Sequence, residues 1–306
     1  MIPNLSKDSI LFLYGTSVCG FNHKQKNRPN QDAVFWWPRA RVYAEPLRQP
    51  LIIAIADGHG GPMHFRSKIG AALAVRVAVT VLKKLLSGHG SYPSVALDGN
   101  RLQALIPRTI VHKWQRLVEY HHQKHELSST EKHLLEHELS PGMRRRVLEN
   151  PLLVYGTTLA AAYLTDYCLM YLQIGDGDIL SFDRSGCVSR PLDDGKQLLL
   201  GGETHSLCLP EAWSYCRTKL YAVEYETMPV LICLTTDGYV DSFYQTADFA
   251  AVPKDIYRFI LKNDIMRIDA QLEQILSTTS QKGSGDDITL GLIGCIPSTV
   301  QSKPQT

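Results

Sequence analysis

Three apolar segments of the chain end in acidic glycine turns. The run from Leu51 to Gly61, LIIAIADGHGG, is apolar and partly β-branched until it stops at DGHGG. The segments MPVLICLTTDG, from Met228 to Gly238, and YCLMYLQIGDGD, from Tyr167 to Asp178, repeat the pattern. Apolar runs of this length, bounded by turn residues, are typical of strands buried on both faces. The sequence therefore predicts three buried strands that bring carboxylates to one rim.

These acidic turns have two interpretations. Asp-Gly is a common hairpin turn, and a hairpin alone explains the glycines. It does not explain why such apolar strands end in carboxylates, or why His59 directly follows one of them. A carboxylate at the end of a buried strand needs a partner, and a hard divalent cation with oxygen ligands accounts for both features. The pattern therefore favours a metal site at this rim.

The first half of the chain predicts two strands followed by long helices. Polar and apolar residues indicate strands at Ile10–Val18 and Ala33–Trp37. Apolar residues at helical spacing follow Pro62 and predict a helix that faces the core. A second helix is predicted from Leu102 to Val118, with Pro107 as a candidate kink. Two other stretches, Gly88–Asn100 and Leu139–Pro151, are predicted to be a loop and a surface connection.

The second half of the chain predicts mainly strands and then two helices. Tight turns between Val154 and Arg190 predict an antiparallel meander. The irregular segment Pro191–Pro210 is long enough to indicate a functional loop, and we expect it to cover the site. The later predictions are strands at Trp213–Glu226 and Pro229–Thr236, helices at Thr246–Asn263 and Ile268–Ser280, and a last strand at Ile288–Ile296. A fourth acidic turn, Gly283-Ser284-Gly285-Asp286-Asp287, directly precedes this last strand.

Composition limits the class of protein. The 306 residues are 44% hydrophobic and 20% charged, and without repeats or a clear linker they predict one domain over residues 1–297 and a disordered polar tail, 298–306. A net charge of +2 argues against nucleic acid as the main partner. No apolar segment could span a bilayer and no signal peptide is recognisable, which predicts a cytoplasmic protein with no membrane partner.

The cysteines and histidines are candidate zinc ligands by residue type. The seven cysteines are scattered and never form C-x-x-C, which argues against a disulfide framework or a zinc site and indicates a reducing compartment. Five histidines lie between His121 and His137, and His121 and His125 are spaced to face each other on a helix. Because no third ligand is evident, a solvated helix face is the favoured interpretation.

Six short motifs occur in order along nearly the whole chain. They are Arg28-Pro29-Asn30-Gln31-Asp32, Asp57-Gly58-His59-Gly60-Gly61, Tyr155-Gly156-Thr157-Thr158, Ile174-Gly175-Asp176-Gly177-Asp178, Thr236-Asp237-Gly238-Tyr239-Val240-Asp241 and Gly285-Asp286-Asp287-Ile288-Thr289. In type and order they resemble the motifs of the PPM family, the metal-dependent type 2C serine/threonine protein phosphatases. One such motif alone would be weak, but six in order are a strong indication.

The resemblance implies both a fold and a metal site. The implied fold is α+β, a four-layer α-β-β-α sandwich of two antiparallel sheets packed face to face, with helices on both outer faces. Two Mn²⁺ or Mg²⁺ ions would lie at one end, and a third would bind more weakly. The implied metal residues are Asp57, which bridges the two ions, the Gly58 carbonyl, Asp237 and Asp286 on one ion, Asp32 on the other side through water, and Asp176 and Asp241 with Asp237 at the third ion.

The chain departs from the family pattern in several places. Gln31 stands where many members have glutamate, which removes one negative charge near the metals. Gly177-Asp178 replaces Ser-Arg. Asp287 replaces an asparagine, which leaves open whether Asp286 or Asp287 is the metal ligand. The segment Leu102–Pro151 is longer than a minimal member needs, and unusual contacts are expected there.

The function that the resemblance implies is hydrolysis of phosphoserine and phosphothreonine in proteins that a cognate kinase has phosphorylated. Two divalent cations would activate the attacking water and neutralise phosphoryl charge. Arg28 would bind the phosphoryl oxygens, although its spacing from Asp32 also suits a loop ion pair, and His59 would protonate the leaving oxygen. Two alternatives remain: a phosphoprotein-binding module without catalysis, and a phosphatase of small phosphate esters.

Overall fold

Two antiparallel sheets packed face to face form the centre of the protein in the computed structural model, which describes residues 9–44, 47, 49–86, 92–166, 168–193, 204–222 and 228–297. The strands are β1 Ser9–Val18, β2 Ala33–Trp37, β3 Val42–Ala44, β4 Leu51–Ala56, β5 Leu159–Leu164, β6 Cys168–Ile174, β7 Asp178–Phe182, β8 Val188–Ser189, β9 Arg217–Ala222, β10 Leu231–Thr235 and β11 Ile288–Pro297. One sheet has the order β3-β1-β11-β10-β7-β8, and the other has the order β2-β4-β5-β6-β9.

Helices cover both outer faces of this pair of sheets. They are α1 Phe21–Gln25, α2 Ser67–Leu86, α3 Tyr92–Lys124, α4 Ser129–His133, α5 Pro141–Glu149, α6 Asp237–Val240, α7 Thr246–Lys262 and α8 Asp269–Lys282. The helices α2 and α3 pack on the five-stranded sheet, whereas α7 and α8 pack on the six-stranded one. The predicted four-layer sandwich is therefore confirmed.

The central strands are apolar throughout because both of their faces are covered. In β4, Ile53 and Ile55 face the core between the sheets, and Ile52, Ala54 and Ala56 face the core beneath α2. Every residue of β4, β5 and β6 is buried. This explains the continuous apolar runs of the sequence, which antiparallel sheets with one solvated face would not show. Among the described helices, none is long and apolar enough to cross a membrane.

Two predicted loops are wrong in part because they form helices. The helix α3 already begins at Tyr92, so most of the predicted loop Gly88–Asn100 is helical, and residues 88–91 lie outside the described part. Pro93 in the first turn costs no hydrogen bond, since the amides of that turn have no partner within the helix. The predicted surface connection Leu139–Pro151 contains α5, which Ser140 caps by accepting a hydrogen bond from the Met143 amide.

Two strand predictions also need correction. The predicted meander does not stay in one sheet, because β5 and β6 belong to the five-stranded sheet and β7 and β8 to the other. The turn between β6 and β7 therefore crosses from one sheet to the other. The strand predicted from Trp213 begins only at Arg217, after a 3-10 turn at Ala212–Tyr215, and residues 223–227 and the tail 298–306 lie outside the described part.

Candidate functional site

All the acidic turns lie at one end of the sandwich. In the six-stranded sheet, the last residue of β10, Thr235, pairs with Asp178 at the start of β7. In the other sheet, Ala56 at the end of β4 pairs with Ala33 at the start of β2. Asp57 follows β4 directly, Asp237 follows β10 after Thr236, and Asp176 lies in the turn between the sheets. The predicted rim therefore receives residues from both sheets.

The turn after β4 is fixed by the strand that carries the Gly-Thr-Thr motif. The amide of Asp57 donates to Thr158 Oγ1 at 3.0 Å, and the Asp57 carbonyl accepts from the Thr158 amide at 2.9 Å. The His59 amide donates to the Gly156 carbonyl at 3.1 Å. Gly58 lies against the first loop so closely that an added Cβ would stand 2.6 Å from the Gln31 carbonyl oxygen. Position 58 therefore admits only glycine without a shift of that loop.

Three carboxylates converge at this rim. Asp57, Asp176 and Asp237 each offer one oxygen, and the three oxygens lie within 4.8 Å of one another. Within the described residues, no lysine, arginine or histidine forms an ion pair with any of the three. Like charges at this separation repel strongly unless protons or a cation compensate them.

Burial and mutual repulsion raise the pKa values of this group. Burial raises the pKa of Asp57 well above its usual range, and the charges of Asp32 and Asp237 add to the shift. Burial, with the charges of Asp176 and Asp286, raises the pKa of Asp237 to about 7. The cluster is therefore poised to exchange protons for a cation.

Asp32 is held by two hydroxyl groups from the opposite sheet. Its Oδ2 accepts from Thr236 Oγ1 at 2.9 Å and from Thr289 Oγ1 at 2.8 Å. Burial, with the charge of Asp287, raises the pKa of Asp32 to about 8. Among the described contacts, no ion pair joins Asp32 to Arg28. The alternative of a loop ion pair is therefore not what the structure shows.

Asp286 and Asp287 differ sharply in their surroundings. The side chain of Asp287 is 3% exposed, and its two oxygens accept from the amides of Gly20 and Gln31 at 2.6 and 2.7 Å. The side chain of Asp286 is 55% exposed, and its charge contributes to the raised pKa of Asp237. Asp286 is thus the one of the two whose carboxylate is accessible to a ligand. Although His23, Asp286 and Asp287 also offer atoms within 4.8 Å of one another, both oxygens of Asp287 are already engaged.

The remaining acidic residues of the rim divide into two kinds. Asp178 forms an ion pair with Arg190 at 2.6 Å, so its carboxylate is neutralised by the protein. Asp241 is exposed, and burial with the charges of Asp176 and Asp286 raises its pKa. Asp176 accepts a hydrogen bond from Thr204, which belongs to the loop predicted to cover the site. Residues 194–203 of that loop lie outside the described part.

The two residues predicted to act on the phosphate differ in their surroundings. Arg28 is exposed, and its guanidinium has no ion pair or hydrogen bond within the described residues. His59 is part-buried, and burial with the neighbouring His64 lowers its pKa to about 4. Gln31 bridges the first loop to α2, since its Nε2 donates to Ser67 Oγ at 2.6 Å.

The donor set fits a hard divalent cation. Every side chain of the cluster offers a carboxylate oxygen, and the chemistry of Mg²⁺, Mn²⁺ and Ca²⁺ favours such ligands, whereas zinc favours nitrogen and sulfur. Several of these carboxylates are buried and carry raised pKa values, which is the condition that a cation would relieve. A second, histidine-based site is not supported, because His121 instead bonds the Tyr155 hydroxyl through Nδ1 at 2.8 Å.

The sequence did not reveal three hydroxyl groups of the site. Thr236 and Thr289 hold Asp32, and Thr204 holds Asp176. Thr236 and Thr289 lie inside predicted motifs, but their direction toward Asp32 depends on the pairing of β10 with β11 and on the packing of the two sheets. The insertion Leu102–Pro151 also contacts the site indirectly: Arg66 binds Glu131 at 2.6 Å and the Tyr155 hydroxyl at 2.8 Å.

Comparisons with known proteins identify the family and the fold. The profile of the family described as Protein phosphatase 2C matches residues 19–277. A crystal structure of the catalytic domain of the serine/threonine phosphatase PstP with two manganese ions is 16% identical, has a TM-score of 0.53, and aligns over 94% of this chain and 99% of that one. PppA of Pseudomonas aeruginosa, described as a regulatory component of T6SS, is 15% identical, with a TM-score of 0.52 and coverage of 94% and 100%.

A third similar structure is the serine/threonine phosphatase of S. agalactiae, which is 16% identical, with a TM-score of 0.51 and coverage of 93% of this chain and 99% of that one. A comparison with curated protein sequences gives no match. At these identities the structural neighbours support the fold alone, and the family profile, which covers most of the chain, supports the family. The chain belongs to the protein phosphatase 2C family, the metal-dependent serine/threonine phosphatases, as its six motifs predict.

Proposed function

We propose that this protein is a catalytically active phosphatase that removes phosphate from phosphoserine and phosphothreonine in proteins. The observation that carries the proposal is the convergence of Asp57, Asp176 and Asp237, whose oxygens lie within 4.8 Å and which no cationic side chain neutralises within the described residues. A phosphate-binding module without catalysis would have no need to keep so costly a group of closely spaced carboxylates, two of them part-buried.

The metal ligands that we propose are those that the family resemblance implies, and the convergence of Asp57, Asp176 and Asp237 supports them. Asp57, the Gly58 carbonyl, Asp237 and Asp286, with Asp32 acting through water, would hold two Mn²⁺ or Mg²⁺ ions. Asp176 and Asp241, with Asp237, would hold a weaker third. Bound divalent cations lower the pKa of water and neutralise phosphoryl charge, which together make phosphate ester hydrolysis fast.

The protein's own side chains would bind the phosphate and move protons. The exposed Arg28 guanidinium is available to bind the phosphoryl oxygens, with the planar geometry that suits them. His59 would donate a proton to the leaving serine or threonine oxygen. Because its pKa is lowered to about 4, this role requires the negative phosphoryl group of the substrate to raise that pKa.

The experiment is phosphate release from a phosphothreonine peptide with added Mn²⁺ and with excess chelator. We expect activity with Mn²⁺ and none with chelator. Asp57→Asn should nearly abolish turnover at saturating Mn²⁺. Asp178→Asn is the matched control, because Asp178 lies at the same rim but pairs with Arg190. Full activity in chelator, or equal activities of the Asp57 variant and the wild type, would contradict the proposal.

The same assay distinguishes the two alternatives. A binding module would retain affinity for the phosphopeptide and release no phosphate at any metal concentration. A phosphatase of small metabolites would hydrolyse small phosphate esters far faster than the peptide. The physiological partners that follow from our proposal are phosphorylated proteins and the kinase that modifies them.

A further inference from the structure

Asp287 lies next to the proposed ligand Asp286, yet its carboxylate binds the protein. Oδ1 accepts from the Gly20 amide at 2.6 Å, and Oδ2 accepts from the Gln31 amide at 2.7 Å. Nδ1 of His23 lies 3.0 Å from the same Oδ2. With a side chain 3% exposed, Asp287 is shielded from water, which strengthens these bonds.

These contacts lie on both sides of Arg28 in the sequence. His23, on the N-terminal side, also accepts the Arg28 amide with its carbonyl at 2.8 Å. Gln31 follows Arg28 by three residues and is held by Oδ2. The backbone that carries Arg28 is therefore fixed before and after it by one carboxylate, while the guanidinium has no partner of its own within the described residues.

Further contacts show that the whole start of α1 is seated on the last acidic turn. The Phe21 amide donates to Ser280 Oγ at 3.0 Å, and the Asn22 amide donates to the Gly285 carbonyl at 2.9 Å. Gly20 approaches this turn so closely that a Cβ would stand 2.4 Å from the Asp286 carbonyl carbon. The amides at the start of a helix have no partner within the helix, and these contacts supply one for the first amides of α1.

A carboxylate at position 287 has a property that asparagine lacks. Both of its oxygens accept hydrogen bonds, whereas an asparagine would turn its NH₂ group toward one of the two amides, donor against donor. The aspartate at this position therefore matches the two amide donors that approach it. We propose that Asp287 is a positioning residue that holds Arg28 for phosphate binding and is not a metal ligand.

This inference rests on the proposed role of Arg28, but its first test needs no activity. In wild-type protein labelled with ¹⁵N and ¹³C, NMR should detect scalar couplings through the hydrogen bonds from the Gly20 and Gln31 amides to the Asp287 carboxyl carbon. Absence of both couplings would overturn the proposal, and this measurement holds even if no variant of Asp287 folds.

The second test uses Asp287→Asn, with Asp286→Asn as the matched control. In the Asp287 variant we expect amide hydrogen exchange at Gly20 and Gln31 to accelerate about tenfold or more, as the loss of a bond to a charged acceptor implies. KM for a phosphothreonine peptide should rise about tenfold, because Arg28 is no longer held. The Mn²⁺ affinity, measured by calorimetry, should stay within about threefold.

The control variant should show the reverse pattern. Asp286→Asn should weaken Mn²⁺ binding about tenfold or more while leaving exchange at Gly20 and Gln31 unchanged. Loss of Mn²⁺ affinity in the Asp287 variant with unchanged exchange would show that Asp287 is a ligand and overturn the proposal. Faster exchange with an unchanged KM would also overturn the proposal, because the hydrogen bonds of Asp287 would then not position Arg28 for phosphate binding.

Failure of the proposed function would give a different result. A wild-type protein that hydrolyses no phosphate ester would contradict the proposed phosphatase activity. The scalar couplings and the exchange rates would still measure the hydrogen bonds between Asp287 and the amides of Gly20 and Gln31. In that case the dissociation constant of the phosphopeptide replaces KM as the measure of Arg28 positioning, and an unchanged constant in the Asp287 variant counts against it.

Discussion

Binding of a divalent cation at the rim should expel protons, because the metal-free carboxylates are too buried to be fully ionised at neutral pH. At pH 7 a carboxyl group with a pKa of about 8, such as Asp32, is about nine-tenths protonated. Asp237, with a pKa of about 7, is about half protonated. A cation binds the ionised forms, so both groups lose their protons on binding.

The expected magnitude is about one to two protons released per protein at pH 7, since burial also raises the pKa of Asp57. Apparent affinity should therefore increase about tenfold or more from pH 6 to pH 7, and should increase less steeply above pH 8 to 9, where Asp32 and Asp237 are already mostly ionised. The direction of this pH dependence follows from the raised pKa values. At a pH below these pKa values protons compete with the metal for the carboxylates, and at a pH above them they do not.

Calorimetry with Mg²⁺ measures this directly. Titrations at pH 7 in two buffers of different ionisation enthalpy give the number of protons released, and a titration near pH 9 should give fewer. Asp237→Asn should release fewer protons than wild type, and Asp178→Asn should release the same number. Release of fewer than about 0.2 protons at pH 7, with Mg²⁺ bound, would refute the reasoning, because the carboxylates would then be ionised before the metal arrives.

Three further outcomes are expected. Arg66→Met should lower the free energy of unfolding in urea by about 3–5 kcal/mol, because it leaves the part-buried Glu131 without its partner; a loss below about 1 kcal/mol would mean an ordinary surface pair. Arg28→Ala should raise KM for a phosphopeptide about tenfold or more at saturating Mn²⁺, and unchanged kinetics would remove Arg28 from the phosphate site. His59→Ala should slow hydrolysis of a phosphoserine peptide about 10²–10⁴-fold and that of an activated aryl phosphate far less; equal losses on both substrates would leave His59 a purely structural role.

The sequence predicted the rim because its signal is local. A strand buried on both faces must be apolar throughout, so a carboxylate within two residues of its end, as at Asp57 and Asp237, stands out against its surroundings. The order of six motifs then added the family and the fold. The sequence left open, in contrast, whether Asp286 or Asp287 is the metal ligand. The answer depends on which backbone amides of residues 20–31 approach each carboxylate, and no pattern within the motif shows these contacts.

The sequence did not predict α5 and the first turns of α3, for a different physical reason. In α5 only Val147 is buried, so the apolar periodicity that identifies a helix is nearly absent, although Ser140-Pro141 is a recognisable helix start. In α3 the glycine and prolines of the first turns indicated a loop, but Pro93 is compatible with a first turn and Pro107 lies inside the helix without ending it. Surface helices with few core contacts are where sequence patterns carry least information.

The origin of the carboxylates in two different sheets has a consequence for the rest of the chain. Asp57 follows a strand of the five-stranded sheet and Asp237 a strand of the six-stranded sheet, so the distance between the sheets also sets the distance between the ligands. That distance is fixed by contacts such as Gly291 against Ile53, where an added Cβ would stand 3.0 Å from the isoleucine Cδ1. A larger residue at position 291 would therefore weaken metal binding from within the hydrophobic interior, with every ligand still in place.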